Sequence, residues 1–133
     1  MKTISFIQEI IFDATPDVLY DILMDEKKHA AFTGAATKIT NRIGGKFSAY
    51  NNYISGKNIE LVRGKKIVQQ WHAAEMPANY FSVVTFEFLP QSKNKTLLKF
   101  KHEKIPAGLN ADYENGWIDF YWEPIKKYLV SGN

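Results

Sequence analysis

The sequence predicts an α+β fold in which a curved antiparallel sheet of about six to seven strands wraps one long C-terminal helix. Three observations predict it. Apolar residues alternate with a period of two from about residue 37 to residue 104, with only short Gly-, Pro- or Asn-bearing interruptions. Connections that short favour a meander, because parallel neighbours need long crossovers. After Pro106 and Gly108 the period becomes helical, with Trp117, Tyr121, Ile125 and Tyr128 on one stripe. Strands segregated from helices give layers of an α+β type.

The elements follow in order. In 4–12, Ile4, Phe6, Gln8, Ile10 and Phe12 share one parity, which predicts a first strand. Thr15 is placed to cap a helix, Pro16 suits its first position, and Asp17 complements the helix dipole. Val18, Leu19, Ile22 and Leu23 form its apolar stripe, which runs out near Asp25; a short second helix is expected through His29, Ala31 and Phe32. Strands are then expected near 37–42, 46–54, 58–63, 66–73, 79–90 and 95–104, broken at Gly44-Gly45, Gly56, Gly64, Pro77 and the polar 91–94 turn. Asn110 is the expected cap of the last helix, with Asp112 and Glu114 in its first turn and Lys126 and Lys127 near its end. Pro124 removes the hydrogen bond to the Phe120 carbonyl, so a kink is expected there.

Composition narrows the function classes. With 133 residues, 45% hydrophobic and 23% charged, the expectation is one globular domain over 1–133. The absence of cysteine removes disulfides, thiolate metal sites and cysteine nucleophiles. No apolar run is long enough to span a membrane, and the N-terminus lacks the apolar core of a signal peptide, which predicts a cytoplasmic protein without membrane insertion. A net charge of +3, with lysines scattered through strands and turns, fits a solvated face rather than a nucleic-acid surface. The exposed edge of the sheet could pair, giving a monomer or weak dimer, although Lys99 and Lys101 oppose edge aggregation.

No catalytic or cofactor pattern stands out. The glycines of 43–71 lack the spacing of a phosphate loop or dinucleotide fingerprint. His29, His72 and His102 have no metal-binding spacing, so neither a metal nor a cofactor is expected. No nucleophile elbow is present, and Glu9, Glu60, Glu75 and Glu87 have no obvious partner for acid–base work. Strand parity says more. The sets Ser82, Val84, Phe86, Phe88; Thr96, Leu98, Phe100, His102; Ile67, Gln69, Trp71; and Phe47, Ala49, Asn51, Tyr53 are the more apolar halves of their strands and should face the helix. Each carries a polar exception, and the first strand adds Gln8. Burying such a group unpaired costs about 1–3 kcal/mol. The pattern fits either wet sheet margins or a partly hydrated cavity lined by Asn51, Gln69, Trp71, Ser82, Val84, Phe86, Phe100, His102, Trp117, Tyr121 and Ile125.

The stretches AAFTGAATKI, IGGKF, ISGKNIELVRGKKIVQQW, VTFEF, KIPAG and ENGWIDFYWEPIKKYL resemble the C-terminal-domain type of the activator of Hsp90 ATPase, the Aha1-like family of the START-like (SRPBCC) helix-grip superfamily. The resemblance runs from Ile4 to Leu129. It implies a START/Bet v 1-like helix-grip fold with a cavity between sheet and helix. It implies two functions: binding of a small apolar molecule in that cavity, or a co-chaperone role with an Hsp90-type partner whose ATP hydrolysis it stimulates. Starting at Met1, the chain is expected to lack the N-terminal domain that carries the main chaperone contact in two-domain activators. The family offers no catalytic residue to transfer. A cavity enzyme of cyclase or hydrolase type, with His102 or Glu60 as acid–base group, is the remaining alternative.

Overall fold

The computed structural model describes residues 1–131. The fold is α+β: a curved, wholly antiparallel sheet of seven strands holds the C-terminal helix on its inner face. The strands are β1 (Thr3–Phe12), β2 (Lys38–Ile39), β3 (Lys46–Ala49), β4 (Ile54–Val62), β5 (Lys66–Ala73), β6 (Ser82–Ser92) and β7 (Lys95–Pro106), in the order β1-β7-β6-β5-β4-β3-β2. Between β1 and β2 lie α1 (Pro16–Met24) and α2 (Glu26–Thr33). The Thr15 hydroxyl caps α1 by accepting from the Val18 amide, and Asp25 caps α2 through the Lys28 amide. Val18 nonetheless turns to solvent; the buried stripe of α1 is Leu19, Tyr20, Ile22, Leu23 and Met24.

Two strand expectations are corrected. The strand near 37–42 shrinks to Lys38–Ile39, because the carbonyls of Thr40 and Arg42 are taken by the buried Asn58 side chain at 2.9 and 3.1 Å instead of by a neighbouring strand. The strand near 46–54 stops at Ala49. Tyr50, Asn51 and Asn52 follow with φ of 49°, 57° and 71°, a left-handed turn that asparagine tolerates. Gly56 is therefore no break. It sits inside β4, between Phe47 and Trp71 in register. A Cβ there would lie 1.9 Å from the Gln70 carbonyl oxygen and 2.6 Å from the Phe47 ring, so only glycine lets that ring lie over the strand.

The C-terminal helix comes in three pieces. α3 (Asn110–Trp117) begins without a side-chain cap, and Asn110 is its first residue rather than its cap. A π-helical turn (Ile118–Trp122) leads into α4 (Glu123–Val130). The expected consequence of Pro124 is thus met by a wide turn just before it. The extra residue brings both Tyr121 and Trp122 to the sheet beside Trp117, all three buried. The Phe120 carbonyl, which Pro124 cannot serve, accepts from the Tyr50 hydroxyl at 2.5 Å.

Polar side chains bind helix to sheet. Gln8 on β1 donates to the Glu114 carbonyl at 2.9 Å and accepts from the Trp122 indole N–H at 2.7 Å. The Trp117 indole N–H donates to His102 Nδ1 at 3.1 Å. An indole nitrogen can only donate, so His102 carries its proton on Nε2 and donates it to Ser82 Oγ at 2.8 Å; Ser82 in turn donates to the Trp71 carbonyl at 2.8 Å. His29 on α2 donates from Nδ1 to the Leu23 carbonyl and accepts on Nε2 from the Tyr121 hydroxyl, both at 3.0 Å. Gln69 donates to Asn58 Oδ1 at 2.9 Å, and Thr96 to the Ala14 carbonyl at 2.7 Å. Among the described residues no buried side-chain nitrogen or oxygen lacks a partner.

Two outcomes follow for stability. Gly56→Ala lowers the unfolding free energy by about 2–4 kcal/mol, since either the β4–β5 pairing or the Phe47 ring must move; an unchanged urea midpoint contradicts this. Burial holds His102 neutral, its pKa pushed down to about 3. Burial also lowers His29, to about 4, against an opposing effect of its bond to the Leu23 carbonyl. Both folded values lie below the unfolded value, so their contribution is complete above about pH 6.5 and falls as the pH drops toward 4 and 3. Urea titration near pH 4.5 should show a loss of about 2 kcal/mol per histidine relative to pH 7. The His102→Gln variant should lose its own share of that pH dependence, and an identical slope would contradict the assignment.

Candidate functional site

The middle of the core is filled. Beneath the helix, Gln69, Phe86, Trp71, Trp117 and Tyr121 border a small space of about 20 Å³, room for about one water molecule. The large space lies at one end of the helix–sheet interface, where a half-open cleft of about 590 Å³ opens. That is a typical size for a small-molecule site.

Four pieces of chain build it. The left-handed turn after β3 supplies Tyr50 and Tyr53, with Ile54 at the start of β4. The inner face of β5 gives Trp71, and the turn beyond it Glu75. α3 contributes Asp112, Tyr113, Gly116 and Trp117. The π-helical turn adds Phe120 and Tyr121. The rings brace one another: Trp71 meets Tyr113 edge-on at 5.2 Å between centroids, Trp117 meets Tyr121 at 4.6 Å, and Tyr50 meets Phe120 edge-on at 5.6 Å. Gly116 leaves room on the helical wall: a Cβ there would meet nothing nearer than the Phe120 ring at 3.9 Å.

The polar features converge on one carboxylate. Glu75 accepts from the Tyr53 hydroxyl on one oxygen, at 2.5 Å, and from the Tyr113 hydroxyl on the other. The Tyr53 and Tyr113 phenols are both raised above the usual range, first by burial, then by these bonds and by the charges of Glu75 and Asp112. Burial pushes Tyr50 up to about 12. No lysine, arginine or histidine lines the cleft.

Of the residues expected to line a cavity, Trp71, Trp117 and Tyr121 do so. Gln69 and Phe86 reach only the small internal void. Ser82, Val84, Phe100, His102 and Ile125 are buried in solid core. Asn51 is corrected outright: it lies exposed on the left-handed turn, where its side chain accepts from the Ala36 amide at 2.9 Å. Tyr50, Glu75, Asp112, Tyr113, Gly116 and Phe120 were not foreseen. Tyr113 carried a signal, since it precedes Trp117 and Tyr121 by successive steps of four on the same helical face.

The proton order argues against the Ser82–His102 pair as a nucleophile and base. A base must accept the serine proton, yet here His102 Nε2 gives its proton to Ser82, and Nδ1 is occupied by Trp117. Both residues are fully buried and neither borders the cleft. Glu60 is exposed on β4 beside Lys66 at 3.7 Å. No group of three or more His, Asp or Glu among the described residues is placed to hold a metal, and no described helix is long and apolar enough to cross a membrane.

Comparison with known proteins places this architecture. An activator of 90 kDa heat shock protein ATPase homolog from Dictyostelium discoideum is 34% identical over 116 residues, covering 87% of this chain and 30% of that protein. The corresponding homolog 2 from Mus musculus is 27% identical over 119 residues, 90% of this chain and 36% of the mouse protein. The chain thus spans about a third of the length of these curated relatives. The crystal structure of an HSP90 activator from Plasmodium falciparum superposes with a TM-score of 0.90 at 28% identity, covering 95% of this chain and 96% of that one. A family model described as Activator of Hsp90 ATPase homolog 1-like protein matches residues 13–130. With that match spanning most of the sheet and all of the gripped helix, the chain belongs to the family of Activator of Hsp90 ATPase homolog 1-like proteins.

Proposed function

We infer that this protein is a non-catalytic binding domain whose cleft takes a small, largely apolar molecule. One observation carries the reading: about 590 Å³ of space stands open at the end of the helix–sheet interface, against about 20 Å³ in the small space beneath the helix. Burial of apolar surface stabilises a fold by about 25 cal/mol per Å², and the part of the aromatic wall that stays exposed, chiefly on Tyr53 and Phe120, forgoes that gain. A ligand that covers those rings recovers it. Tyr53, Tyr113 and Glu75 are tied into hydrogen bonds with one another, which suits holding a molecule better than transforming one.

Gly116 provides the test. Gly116→Leu places a side chain into the cleft, where space is available, and improves helix propensity by about 0.5–1 kcal/mol. The wild-type protein, titrated with decanol and followed by the fluorescence of Trp71 and Trp117, should bind; the variant should bind at least about tenfold more weakly while melting at the same temperature or higher. Equal affinity in a folded Gly116→Leu protein would place binding elsewhere.

A second reading rests on the family and on the likeness to the Plasmodium falciparum HSP90 activator across nearly its whole length. In it the domain regulates an Hsp90-type chaperone. The ATPase rate of such a chaperone, measured with and without the purified protein, should then rise with protein concentration and saturate. A flat response, together with no complex by size-exclusion chromatography, removes this reading and leaves the cleft reading intact.

A further inference from the structure

We propose that the occupant of the cleft is an organic ammonium ion, its charged nitrogen held beside Tyr53, Tyr113 and Trp71 and against Glu75 and Asp112, and its apolar remainder on Trp117 and Phe120. The proposal rests on the cleft being a ligand site and names the chemical class that the site selects.

Charge is the first argument. The chain has 17 lysines and arginines against 14 aspartates and glutamates, yet the cleft is bordered by two carboxylates and no basic side chain. Among the described residues neither carboxylate takes part in an ion pair; six acids and five bases elsewhere, such as Asp21 with Arg63 at 2.8 Å, are paired. Negative charge is thus offset only by hydroxyls at a site walled by low-dielectric rings, where its field is stronger than in open solvent.

Hydrogen-bond polarity is the second. Tyr53 and Tyr113 both give their protons to Glu75. Their oxygens are left with acceptor lone pairs alone, and a carboxylate holding two hydroxyl protons still has acceptor sites free. Tyr53, Tyr113 and Glu75 therefore offer acceptors and no donors to the cleft. A carboxylate, sulfate or phosphate head would find no donor on these three groups and would meet two like charges. A cation meets electron-rich rings and acceptor oxygens, the arrangement by which aromatic cages recognise substituted ammonium groups. The upward shift of both phenols, to which Glu75 and Asp112 contribute, reports the same negative field.

Three probes sharing one tail and differing only in head group decide the matter: decyltrimethylammonium, decanol and decyl sulfate, each below its micelle concentration, titrated calorimetrically into the whole chain. The ammonium compound should bind about tenfold more tightly than decanol, and the sulfate more weakly than decanol. In Glu75→Gln/Asp112→Asn the ratio of ammonium to decanol affinity should fall to within about twofold of one. Asp112→Asn alone, at an exposed position, should lower it part of the way and covers the case in which the double variant does not fold. Decanol binding as tightly as the ammonium compound, or a ratio insensitive to Asp112→Asn, overturns the proposal while the apolar cleft stands. If none of the three binds, the cleft reading falls with it.

Discussion

The hydrogen bond from the Trp117 indole to His102 is the contact on which the rest of the interior depends. It joins the C-terminal helix to β7, and through Ser82 and the Trp71 carbonyl it reaches β6 and β5. Each donor in this chain has one acceptor, so the order of protons is determined from end to end. A protonated His102 has no place in it, because Nδ1 must accept from an indole that can only donate. Burial and hydrogen bonding therefore act in the same direction, and the imidazole stays neutral. The cost of desolvating the ring is offset by completing the bridge between three central strands and the helix they grip. The same proton order removes the basicity that a buried serine–histidine pair at first suggests.

The helix itself is shaped by a conflict between its sequence and its site. A regular α-helix separates Tyr121 and Trp122 by 100°, so one of them should face away from the sheet. The wide turn at Ile118–Trp122 changes the phase and lets both pack beside Trp117, with Trp122 reaching Gln8 and Tyr121 reaching His29. Such a turn leaves backbone groups without their usual partners, and Pro124 removes one more donor. Tyr50 supplies the missing donor to the Phe120 carbonyl. The residue that repairs the helix is also a wall of the cleft, so the strain of the helix and the shape of the cleft are settled by one side chain.

Much of the fold was legible because burial on one face of a strand forces a period of two. The inward sets of β5, β6 and β7 are the more apolar parities of their segments, and they include the buried Ser82, Gln69 and His102. The failures cluster where a side chain rather than a ladder answers the backbone. Asn58 takes the carbonyls that would have extended β2, and the left-handed residues 50–52 reset the parity that had placed Asn51 inside. Gly56 misled for the opposite reason: local propensity marks a break, while the Phe47 ring and the Gln70 carbonyl demand the absence of a Cβ within a strand. On sequence alone the polar exceptions on the inner face fit either wet sheet margins or a hydrated cavity. In the fold they belong to a satisfied core, because each is matched by a donor or acceptor more than ten residues away in sequence. Pairing at that range leaves no periodic trace.

That distinction separates what holds the fold from what gives the cleft its character. Gln8, Ser82, His102 and Trp122 are used up by the helix–sheet bridges and have no surface in the cleft. Tyr53, Glu75, Asp112 and Gly116 border the cleft and take no part in those bridges. Trp71, Trp117 and Tyr121, together with Ile54 and Tyr113, both line the cleft and belong to the core. A domain arranged in this way can keep its fold while the mouth of its cleft changes in size and charge. The overall likeness to a chaperone activator therefore speaks for the gripped helix, whereas the size and charge of the cleft are set by a few side chains on a turn, a short helix and the loop carrying Glu75.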